Sequence, residues 1–317
     1  MIKKLQHYVQ RVGEMPGRMR FDWPGRPKLA AFTFDDGPSK YTETLLDGLG
    51  SRSVPATFFM NGKNGTGGTC GIENGHRELV RRMWEEGHQL ANHTYRHADL
   101  SKLSSGQITE EITGVEKLIF EEAGGSYICF VRTPYGAENE NIMQNIKAPV
   151  ALWHLNAEDW KYRDPDRVYN NIVSKVERDD IVLLHDIYET SVTGALRAID
   201  TLKEQGYEFV TVAELMRRTR VDPVGGRIYR QGKNVMRYLP PYHAPAVKIF
   251  NGGCQGGMRV ACSETEGVAV YYTTDGSYPR LSDPVYTGDV AVKPGMTFTA
   301  VGVDKWGTRT PAASVVI

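Results

Sequence analysis

The sequence lacks the features that bring a protein to nucleic acid or into a bilayer. Its 38 Lys and Arg residues are matched by 38 Asp and Glu residues. Without an excess of positive charge there is no electrostatic footprint for nucleic acid or for an anionic membrane surface. The longest apolar runs are only a few residues, far below the roughly 20 that a membrane helix needs. We therefore expect neither a nucleic-acid partner nor a membrane span.

Cysteine is also scarce, and its spacing excludes one class of site. Cys70, Cys129, Cys254 and Cys262 form no CxxC pair, so a zinc site of the finger type is not expected. Four cysteines permit two disulfides without requiring them. The short separation of Cys254 and Cys262 is compatible with a disulfide across a hairpin, and equally with two buried thiols.

The N-terminal residues do not resemble a secretory leader. They read MIKKLQHYVQRVGEMPGRMR, which is basic but contains no continuous apolar segment. A secreted protein that has lost its signal peptide would begin in the same way. This stretch therefore does not decide the compartment.

What the sequence does contain, between Lys28 and Arg218, is a repeated alternation of buried strands and amphipathic helices. The apolar runs read KLAAFTF, ATFFM, YICFV, APVALW, DIVLLH and YEFVTV. The helical stretches read HRELVRRMWEEGH, QITEEITGVEKLIFEEAG, PDRVYNNIVSKVER and VTGALRAIDTLKEQG. This order predicts an α/β fold with a parallel sheet, open or closed into a barrel. In such folds the active site lies at the carboxyl ends of the strands.

The composition changes near Val221, which suggests a second domain. Residues 220–245 are rich in Pro, Gly and Arg and are interpreted as a linker or a packed connecting arm. Residues 246–317 show alternating β-runs separated by turns, as in a small antiparallel sandwich. We therefore divide the chain into an N-terminal extension (1–27), an α/β domain (28–219), the arm and the sandwich. A Gly-rich loop, residues 61–75, follows the second strand.

Two pairs of polar residues occur where predicted strands end. Asp35 and Asp36 end the first strand, in TFDDGP, where Asp, Gly and Pro could also simply form a turn. His93 and His97, in NHTYRH, follow a further strand predicted at EGHQLAN; they are four residues apart and would share one face if that turn is helical. Two histidines and a carboxylate form an N/N/O metal site with open positions for water and substrate.

Three further segments bring polar groups to strand ends. Arg132 and Tyr135 occur in FVRTPYG, Asp159 and Trp160 in NAEDW, and His185 in VLLH. Each residue alone has an ordinary interpretation as a surface ion pair, a turn aromatic or a core histidine. Five strand ends with groups suited to metal-assisted hydrolysis indicate one common site.

In this order the segments TFDDGP, HTYRH, RTPYG, EDW and LLH resemble the polysaccharide deacetylases, the NodB-homology domain of carbohydrate esterase family 4. The resemblance extends from Lys28 to Leu215. It implies a distorted (β/α) barrel and removal of acetyl groups from glycans with a divalent metal, usually Zn²⁺, with Co²⁺, Ni²⁺ or Mn²⁺ as alternatives. The segment YYTTDGSYPRLSDPVYTGDVAV is similar to the C-terminal domain of chitobiases and hexosaminidases, which implies a small all-β, Ig-like sandwich.

The resemblance also implies a role for each site residue. The metal ligands would be Asp36, His93 and His97. Asp35 would stay off the metal as general base, held ionised by Arg132, because an opposite charge lowers a carboxylate pKa.

The remaining roles concern the acetyl group and the leaving group. The backbone N–H of Tyr135 would stabilise the oxyanion, and His185 would act as general acid. Trp160 and Leu183 would line the acetyl pocket. The implied substrate is a glycan that contains N-acetylglucosamine, from peptidoglycan or chitin. We expect the protein to be a monomer. We also expect it to act outside the cytoplasm, although the sequence does not exclude a cytoplasmic location.

Three other functions remain open at this stage. One is O-deacetylation of acetyl-xylan, and a second is glycan binding by a weakened catalytic site. The third is a two-histidine, one-carboxylate iron oxygenase. Asp35, Arg132 and His185 argue against the oxygenase, which has no need of an acid–base pair.

The sequence departs from the family pattern at one position. The fourth motif of the family reads D-x-x-D-W, and its first Asp pairs with the histidine of the fifth motif. Asn156 occupies that position here. We therefore expect His185 to be protonated less often, with weaker N-deacetylation and a more acidic pH optimum, unless Glu158 or Asp159 supplies the missing charge.

The C-terminal domain raises two questions. Tyr271, Tyr272 and Tyr278 either pack within the sandwich or form a sugar-stacking platform. Because all five motifs precede Arg218, we also expect a chain that ends there to remain active, unless the arm packs on the barrel.

Overall fold

The computed structural model describes residues 27–64, 69–125, 129–232, 242–251, 257–263 and 267–317. The first part alternates strands and helices as the sequence predicts. Its strands are β1 (Lys28–Asp35), β2 (Thr57–Met60), β3 (Gln89–Asn92), β4 (Val150–Ala151), β5 (Leu155–Asn156), β6 (Asp180–His185), β7 (Tyr207–Phe209) and β8 (Ile228–Tyr229). Its helices are α1 (Thr42–Ser51), α2 (Arg77–Glu85), α3 (Ser105–Ala123), α4 (Glu140–Asn145), α5 (Asp159–Tyr162), α6 (Pro165–Lys175), α7 (Glu189–Glu204) and α8 (Val212–Arg218).

Strand β1 lies at the centre of the sheet. It pairs in parallel with β2, β6 and β7, and the strand order is β3-β2-β1-β6-β5. Its sequence, KLAAFTFD, is buried from the second residue onward, because helices cover both faces of a parallel sheet. The parallel register brings the carboxyl ends of these strands to one rim.

The sheet continues beyond β3 as an irregular barrel. Val131 forms single parallel bridges to Asn92 and to Val150, and β4 pairs with β8. The predicted strand APVALW is therefore reduced to two residues. Pro149, which precedes β4, has no N–H with which to extend the ladder. The distorted barrel predicted from the sequence is confirmed.

The helices follow the expected polar and apolar pattern, and α3 has clear end signals. Ser104 and Gln107 form a capping box at its start, and Gly124 ends it with a left-handed φ of 78°. These contacts satisfy the free N–H and C=O groups at the two ends of the helix. Within the described ranges, no helix combines the length and apolar character needed to cross a bilayer.

The C-terminal part is an antiparallel sandwich of two three-stranded sheets. Its strands are β9 (Val247–Asn251), β10 (Met258–Cys262), β11 (Val268–Thr273), β12 (Val290–Val292), β13 (Thr297–Asp304) and β14 (Ala313–Val316). The sheet orders are β12-β10-β9 and β11-β13-β14. This agrees with the predicted all-β domain.

Strand β13 joins the sandwich to the barrel. Phe298 and Ala300 belong to the core of the sandwich, whereas Val301 and Val303 belong to the core of the barrel. Alternate residues of a strand face opposite sides, so β13 is buried on both faces. The two domains therefore share apolar surface.

The sandwich packs near the end of the barrel that lies opposite the carboxyl ends of the strands. Arg309 donates hydrogen bonds to the carbonyl oxygens of Trp84 and His88, and its guanidinium lies 4.2 Å from the centre of the Trp84 ring. His88 immediately precedes β3, so this contact is at the amino end of the strand.

Packing accounts for the three tyrosines of the sandwich. Tyr271 and Tyr278 pack against the core of the barrel, and the Tyr272 ring stacks on Phe298 at 5.2 Å. Of the two alternatives, the contacts support structural packing rather than a sugar platform.

Part of the proposed arm, residues 220–245, belongs to the barrel, because β8 pairs with β4. The possible disulfide between Cys254 and Cys262 involves residue 254, outside the described residues. The proposed N-terminal extension is also outside them, except for residue 27.

Candidate active site

The carboxyl ends of β1, β3 and β6 bring the predicted site residues to one rim. Asp35 is the last residue of β1 and is in register with His185, the last residue of β6. His93 follows β3 directly, and Arg132 follows the bridge at Val131.

Asp36, His93 and His97 form a candidate metal centre. Asp36 Oδ1 lies 3.2 Å from His97 Nε2 and 3.5 Å from His93 Nε2. One ligand atom from each residue lies within 4.8 Å of the other two. Ligands about 2.0–2.1 Å from a tetrahedral Zn²⁺ are about 3.3–3.4 Å apart, so the two measured distances fit such an ion.

Left-handed turns, rather than a helix, create this cluster. Asp36, Thr94 and His97 have φ values of 73°, 69° and 56°. The sequence suggested that His93 and His97 share one face of a helical turn, and the segment is not helical. The two rings instead lie 5.0 Å apart because the backbone reverses between them.

Hydrogen bonding and burial leave the ligand atoms of His93 and Asp36 able to bind a cation. His93 Nδ1 donates to the carbonyl oxygen of Arg132 at 2.8 Å, which leaves Nε2 unprotonated and directed at Asp36. Burial lowers the pKa of His93 well below its usual value, and the neutral ring is the form that binds metal. Asp36 Oδ1 is buried and accepts no hydrogen bond from the described residues. The donor set therefore fits a divalent metal.

Asp35 is directed to a buried arginine. Arg132 has no exposed surface, and its Nη1 donates at 2.7 Å both to Asp35 Oδ1 and to Thr33 Oγ1. The other guanidinium nitrogens donate to the carbonyl oxygens of Ala151 and Leu152. Every nitrogen of the guanidinium thus has an acceptor, and Asp35 Oδ1 is fixed.

The pKa of Asp35 differs from the expectation. Burial raises this pKa to about 6, although the charge of Arg132 acts in the opposite direction. The predicted lowering by Arg132 exists, but desolvation of the carboxylate outweighs it.

Tyr135 lies in a tight turn beside the metal ligands. Pro134 and Gly136 flank it, and its φ is 61°. The residue is 70% exposed, and the centre of its ring lies 4.9 Å from that of His97. No described residue accepts a hydrogen bond from its backbone N–H, which leaves this donor available to a ligand.

His185 has a charged partner, Asp159, which is one of the two residues that the sequence left as possible substitutes for the missing aspartate at position 156. Asp159 Oδ1 accepts from His185 Nδ1 at 2.9 Å, and Asp159 Oδ2 accepts from the backbone N–H of His185 at 2.8 Å. Burial by itself would lower the pKa of His185. The Asp159 carboxylate, together with the charges of Asp36 and Asp35, outweighs that effect and raises the pKa to about 9.

Asn156 stabilises the turn that precedes α5. Its Oδ1 accepts from the backbone N–H of Glu158 at 2.8 Å. This hydrogen bond closes a turn that holds Glu158 at a left-handed φ of 55°. The turn directs Asp159, rather than residue 156, toward His185.

The two predicted pocket residues lie on either side of this turn. Leu183 is buried and, two residues before His185 on β6, shares a face of the sheet with it. Trp160 follows Asp159 and is 50% exposed. Both residues thus border the region around His185.

Sequence reasoning missed Asn61, a fully buried residue that connects three parts of the site. Its side-chain amide donates to the carbonyl oxygens of His93 and Thr94 at 2.7 and 2.9 Å. Its backbone N–H donates to the carbonyl oxygen of Gly37. The sequence feature that could have identified Asn61 is its position directly after β2, at the end of the sheet where the other site residues follow their strands.

Asp186 was also missed. It is fully buried behind the Asp36 turn, and Thr42 Oγ1 donates to its Oδ2. Burial raises its pKa to about 7. A side chain at Gly37 would collide with this carboxylate, so the glycine allows close packing at the turn.

A second group of possible ligands, His154, Glu177 and Asp180, does not fit a metal ion as well. His154 Nδ1 lies 2.7 Å from Asp180 Oδ1. That separation is within ion-pair distance and is shorter than the ligand spacing around a tetrahedral ion. We interpret this group as an ion pair at the amino end of β6.

Fold and site together define an α/β barrel protein with a preformed Asp-His-His centre between a carboxylate–arginine pair and a carboxylate–histidine pair. Residues 23–149 match the polysaccharide deacetylase family, and residues 251–314 match the chitobiase/beta-hexosaminidase C-terminal domain. The chain belongs to the polysaccharide deacetylase family.

Individual relatives agree with this assignment. A peptidoglycan-N-acetylglucosamine deacetylase of Bacillus cereus is 32% identical over 213 residues, which cover 64% of this chain and 95% of the relative. The peptidoglycan-N-acetylglucosamine deacetylase PgdA of Listeria monocytogenes is 38% identical over 189 residues, or 59% of this chain. The matched region spans only 39% of the length of that relative.

A solved structure shows the same fold. The family 4 acetyl xylan esterase of Clostridium thermocellum, determined with a cobalt ion, superimposes with a TM-score of 0.58 at 29% identity. The match covers 64% of this chain and 98% of the esterase.

Proposed function

We propose that this protein is a metal-dependent deacetylase that removes N-acetyl groups from N-acetylglucosamine units of a glycan, with peptidoglycan or chitin fragments as substrates. The observation that carries the proposal is the arrangement of three metal-ligating side chains between Asp35 and His185. One of these two groups is suited to accept a proton and the other to donate one.

We assign the metal to Asp36, His93 and His97 and propose Zn²⁺ as the ion, since two imidazoles and a carboxylate are a ligand set that zinc prefers. Co²⁺, Ni²⁺ and Mn²⁺ are alternatives. When bound, such an ion supplies a Lewis acid that polarises the acetyl carbonyl and lowers the pKa of water.

Asp35 is the proposed general base. The hydrogen bond from Arg132 fixes one of its oxygens, so the other is free to accept a proton from water. A pKa of about 6 suits this role near neutral pH, because a general base works best with a pKa close to the working pH.

His185 is the proposed general acid. Asp159 holds its Nδ1, so Nε2 carries the proton for the leaving amine. A pKa of about 9 keeps the ring protonated at neutral pH. An amine leaves poorly without protonation, and this pair therefore supports an amide substrate.

Tyr135 and the pocket residues would position the acetyl group. We assign oxyanion stabilisation to the backbone N–H of Tyr135, which has no acceptor among the described residues. Trp160 and Leu183 would border the acetyl methyl group.

Two alternatives are weaker, and one has independent support. The acetyl xylan esterase with the same fold favours O-deacetylation as the second candidate. A binding-only role would not require the buried Asp35–Arg132 and Asp159–His185 pairs, which are costly to desolvate. We further propose that the protein acts outside the cytoplasm and as a monomer.

Acetate release tests the proposal. We expect the zinc-loaded protein to release acetate from chitin oligomers or peptidoglycan fragments at least tenfold faster than from acetylated xylan. The opposite order would identify an O-deacetylase. Binding of an oligomer without acetate release would identify the binding-only alternative.

A further inference from the structure

An arginine beside the proposed acid has no carboxylate partner. Arg163 follows α5 with a left-handed φ of 50°, and its Nε donates to the carbonyl oxygen of Trp160 at 3.0 Å. Its guanidinium carbon lies 3.3 Å from the centre of the Tyr188 ring. The backbone carbonyl and the ring together hold this exposed side chain in a defined position.

Arg163 and the proposed general acid, His185, both lie beside Tyr188. The ring centres of Tyr188 and His185 are 6.1 Å apart, so the guanidinium is no farther from the imidazole than the sum of these two distances. This upper limit on the distance between the guanidinium and the imidazole is comparable with the length of one or two sugar rings in an extended glycan. A sugar next to the deacetylated unit could therefore contact Arg163.

The charge of Arg163 is not neutralised locally. Within the described part of the chain, no carboxylate lies within 4.0 Å of its guanidinium, whereas nearby Arg167 and Arg197 pair with Asp164 and Asp166. Its terminal Nη groups donate to no described residue. Two parallel N–H groups are thus available to an incoming acceptor.

We propose that Arg163 forms a subsite for a carboxylate on the sugar adjacent to the reacting N-acetyl unit. The planar fork of a guanidinium matches a carboxylate with two parallel hydrogen bonds, and stacking on Tyr188 orients the fork in advance. This inference rests on the proposed function and narrows its substrate class to acidic glycans. The carboxylate could be the lactyl group of a muramyl unit or that of a uronic acid.

The competing interpretation is that Arg163 only stabilises the turn after α5 through its hydrogen bond to Trp160. In that case its replacement would affect neutral and acidic substrates equally. The ratio of their rates distinguishes the two interpretations.

The test compares matched substrates that differ only in the carboxyl group. One pair is a GlcNAc–MurNAc oligomer and the same oligomer with its carboxyl groups reduced to alcohols. The second pair is an acetylated xylan oligomer with and without a glucuronic acid branch. The variants are Arg163→Gln and Arg163→Lys, with Lys161→Gln as control, since Lys161 is an exposed cation of the same segment.

We expect Arg163→Gln to lower the acidic-to-neutral ratio of kcat/KM about fivefold, mainly through KM, as for a partly solvated ion pair. Arg163→Lys should retain part of the ratio and Lys161→Gln all of it. The effect should weaken in 0.5 M salt, since ions screen exposed charges. The substrate pair whose acidic-to-neutral ratio falls in Arg163→Gln identifies the source of the carboxylate. An unchanged ratio in both pairs would overturn the proposal.

Calorimetric binding separates this inference from the proposed function. If no substrate releases acetate, the proposed activity fails. Tighter binding of the acidic oligomer to the unsubstituted protein than to Arg163→Gln would still support the subsite, and equal binding would reject it.

Discussion

Asp35 and Asp36 are neighbours in sequence but have different surroundings. Asp35 has an arginine partner, and Asp36 has a buried oxygen directed at two histidines. The left-handed conformation of Asp36 allows both carboxylates to face one site, although adjacent residues of a strand point in opposite directions. This difference predicts different consequences of substitution.

Asp35→Asn should retain zinc and lose activity. The amide cannot accept a proton from water, so kcat should fall by about two orders of magnitude or more, as for a lost general base. Asp36→Asn should instead reduce bound zinc. Elemental analysis together with acetate release checks both variants. Loss of zinc from Asp35→Asn, with retention in Asp36→Asn, would reverse the two roles.

Asp159→Asn should shift the basic limb of the pH–rate profile. In the unsubstituted protein His185 is protonated below a pKa of about 9, so kcat/KM should fall as pH rises through that value. Without the Asp159 charge, burial lowers the pKa, and activity should be lost at a lower pH.

Asn156→Asp is the matched control for that experiment. An aspartate at 156 still accepts the hydrogen bond from Glu158, and His185 already has a charged partner. We therefore expect the basic limb to remain in place. A large upward shift would show that position 156, rather than Asp159, controls His185.

At the level of elements, the loops after the strands determine the site. Asn61, directly after β2, joins the turn of Asp36 to the segment of His93 through three hydrogen bonds. Asn61→Leu should therefore weaken zinc binding by about tenfold or more, as for other residues that hold metal ligands in place. Competition with a chelator measures this affinity.

Asn74→Ala provides the control, since among the described residues its side chain hydrogen-bonds to the carbonyl oxygen of Cys70 in the same loop and to none of the candidate metal ligands. It should bind zinc like the unsubstituted protein. Equal weakening in both variants would attribute the effect to the loop as a whole.

The same elements show what the sequence could predict. Apolar runs placed Asp35, His93 and His185 at strand ends, because a strand pattern and its length are local properties. The left-handed turns at Asp36, Thr94 and His97 could not be predicted, since tertiary contacts impose a conformation that these residues rarely adopt. The sequence could not decide between Glu158 and Asp159 as the partner of His185, because the turn at Glu158 determines which carboxylate faces the ring.

At the level of the whole molecule, the sandwich supports the barrel from the end opposite the active site. A chain that ends at Arg218 would lose β8 and the contacts of β13. We therefore no longer expect the isolated barrel to be stable.

Arg309→Ala tests this contact with a single substitution. It removes the side-chain donor from the carbonyl oxygens of Trp84 and His88, although the backbone N–H of Gly87 still donates to that of Trp84, and the stability of the protein should fall by about 2 kcal/mol. Arg259→Ala should change stability little, since among the described residues this half-buried arginine hydrogen-bonds within the sandwich, to the carbonyl oxygen of Asp289. Because the contact is remote from the rim, kcat should be retained in both variants at a temperature where they are folded. Denaturant unfolding and acetate release provide the readouts.

The most direct test of metal-dependent deacetylation is a zinc titration of chelator-treated protein, with acetate release from a GlcNAc oligomer as the readout. We predict no release without metal and a linear rise that reaches its maximum at one zinc per chain, with no rise for a variant in which His93 and His97 are both replaced by alanine. Full acetate release by protein shown to be metal-free, or an equal response of the double variant, would contradict the account.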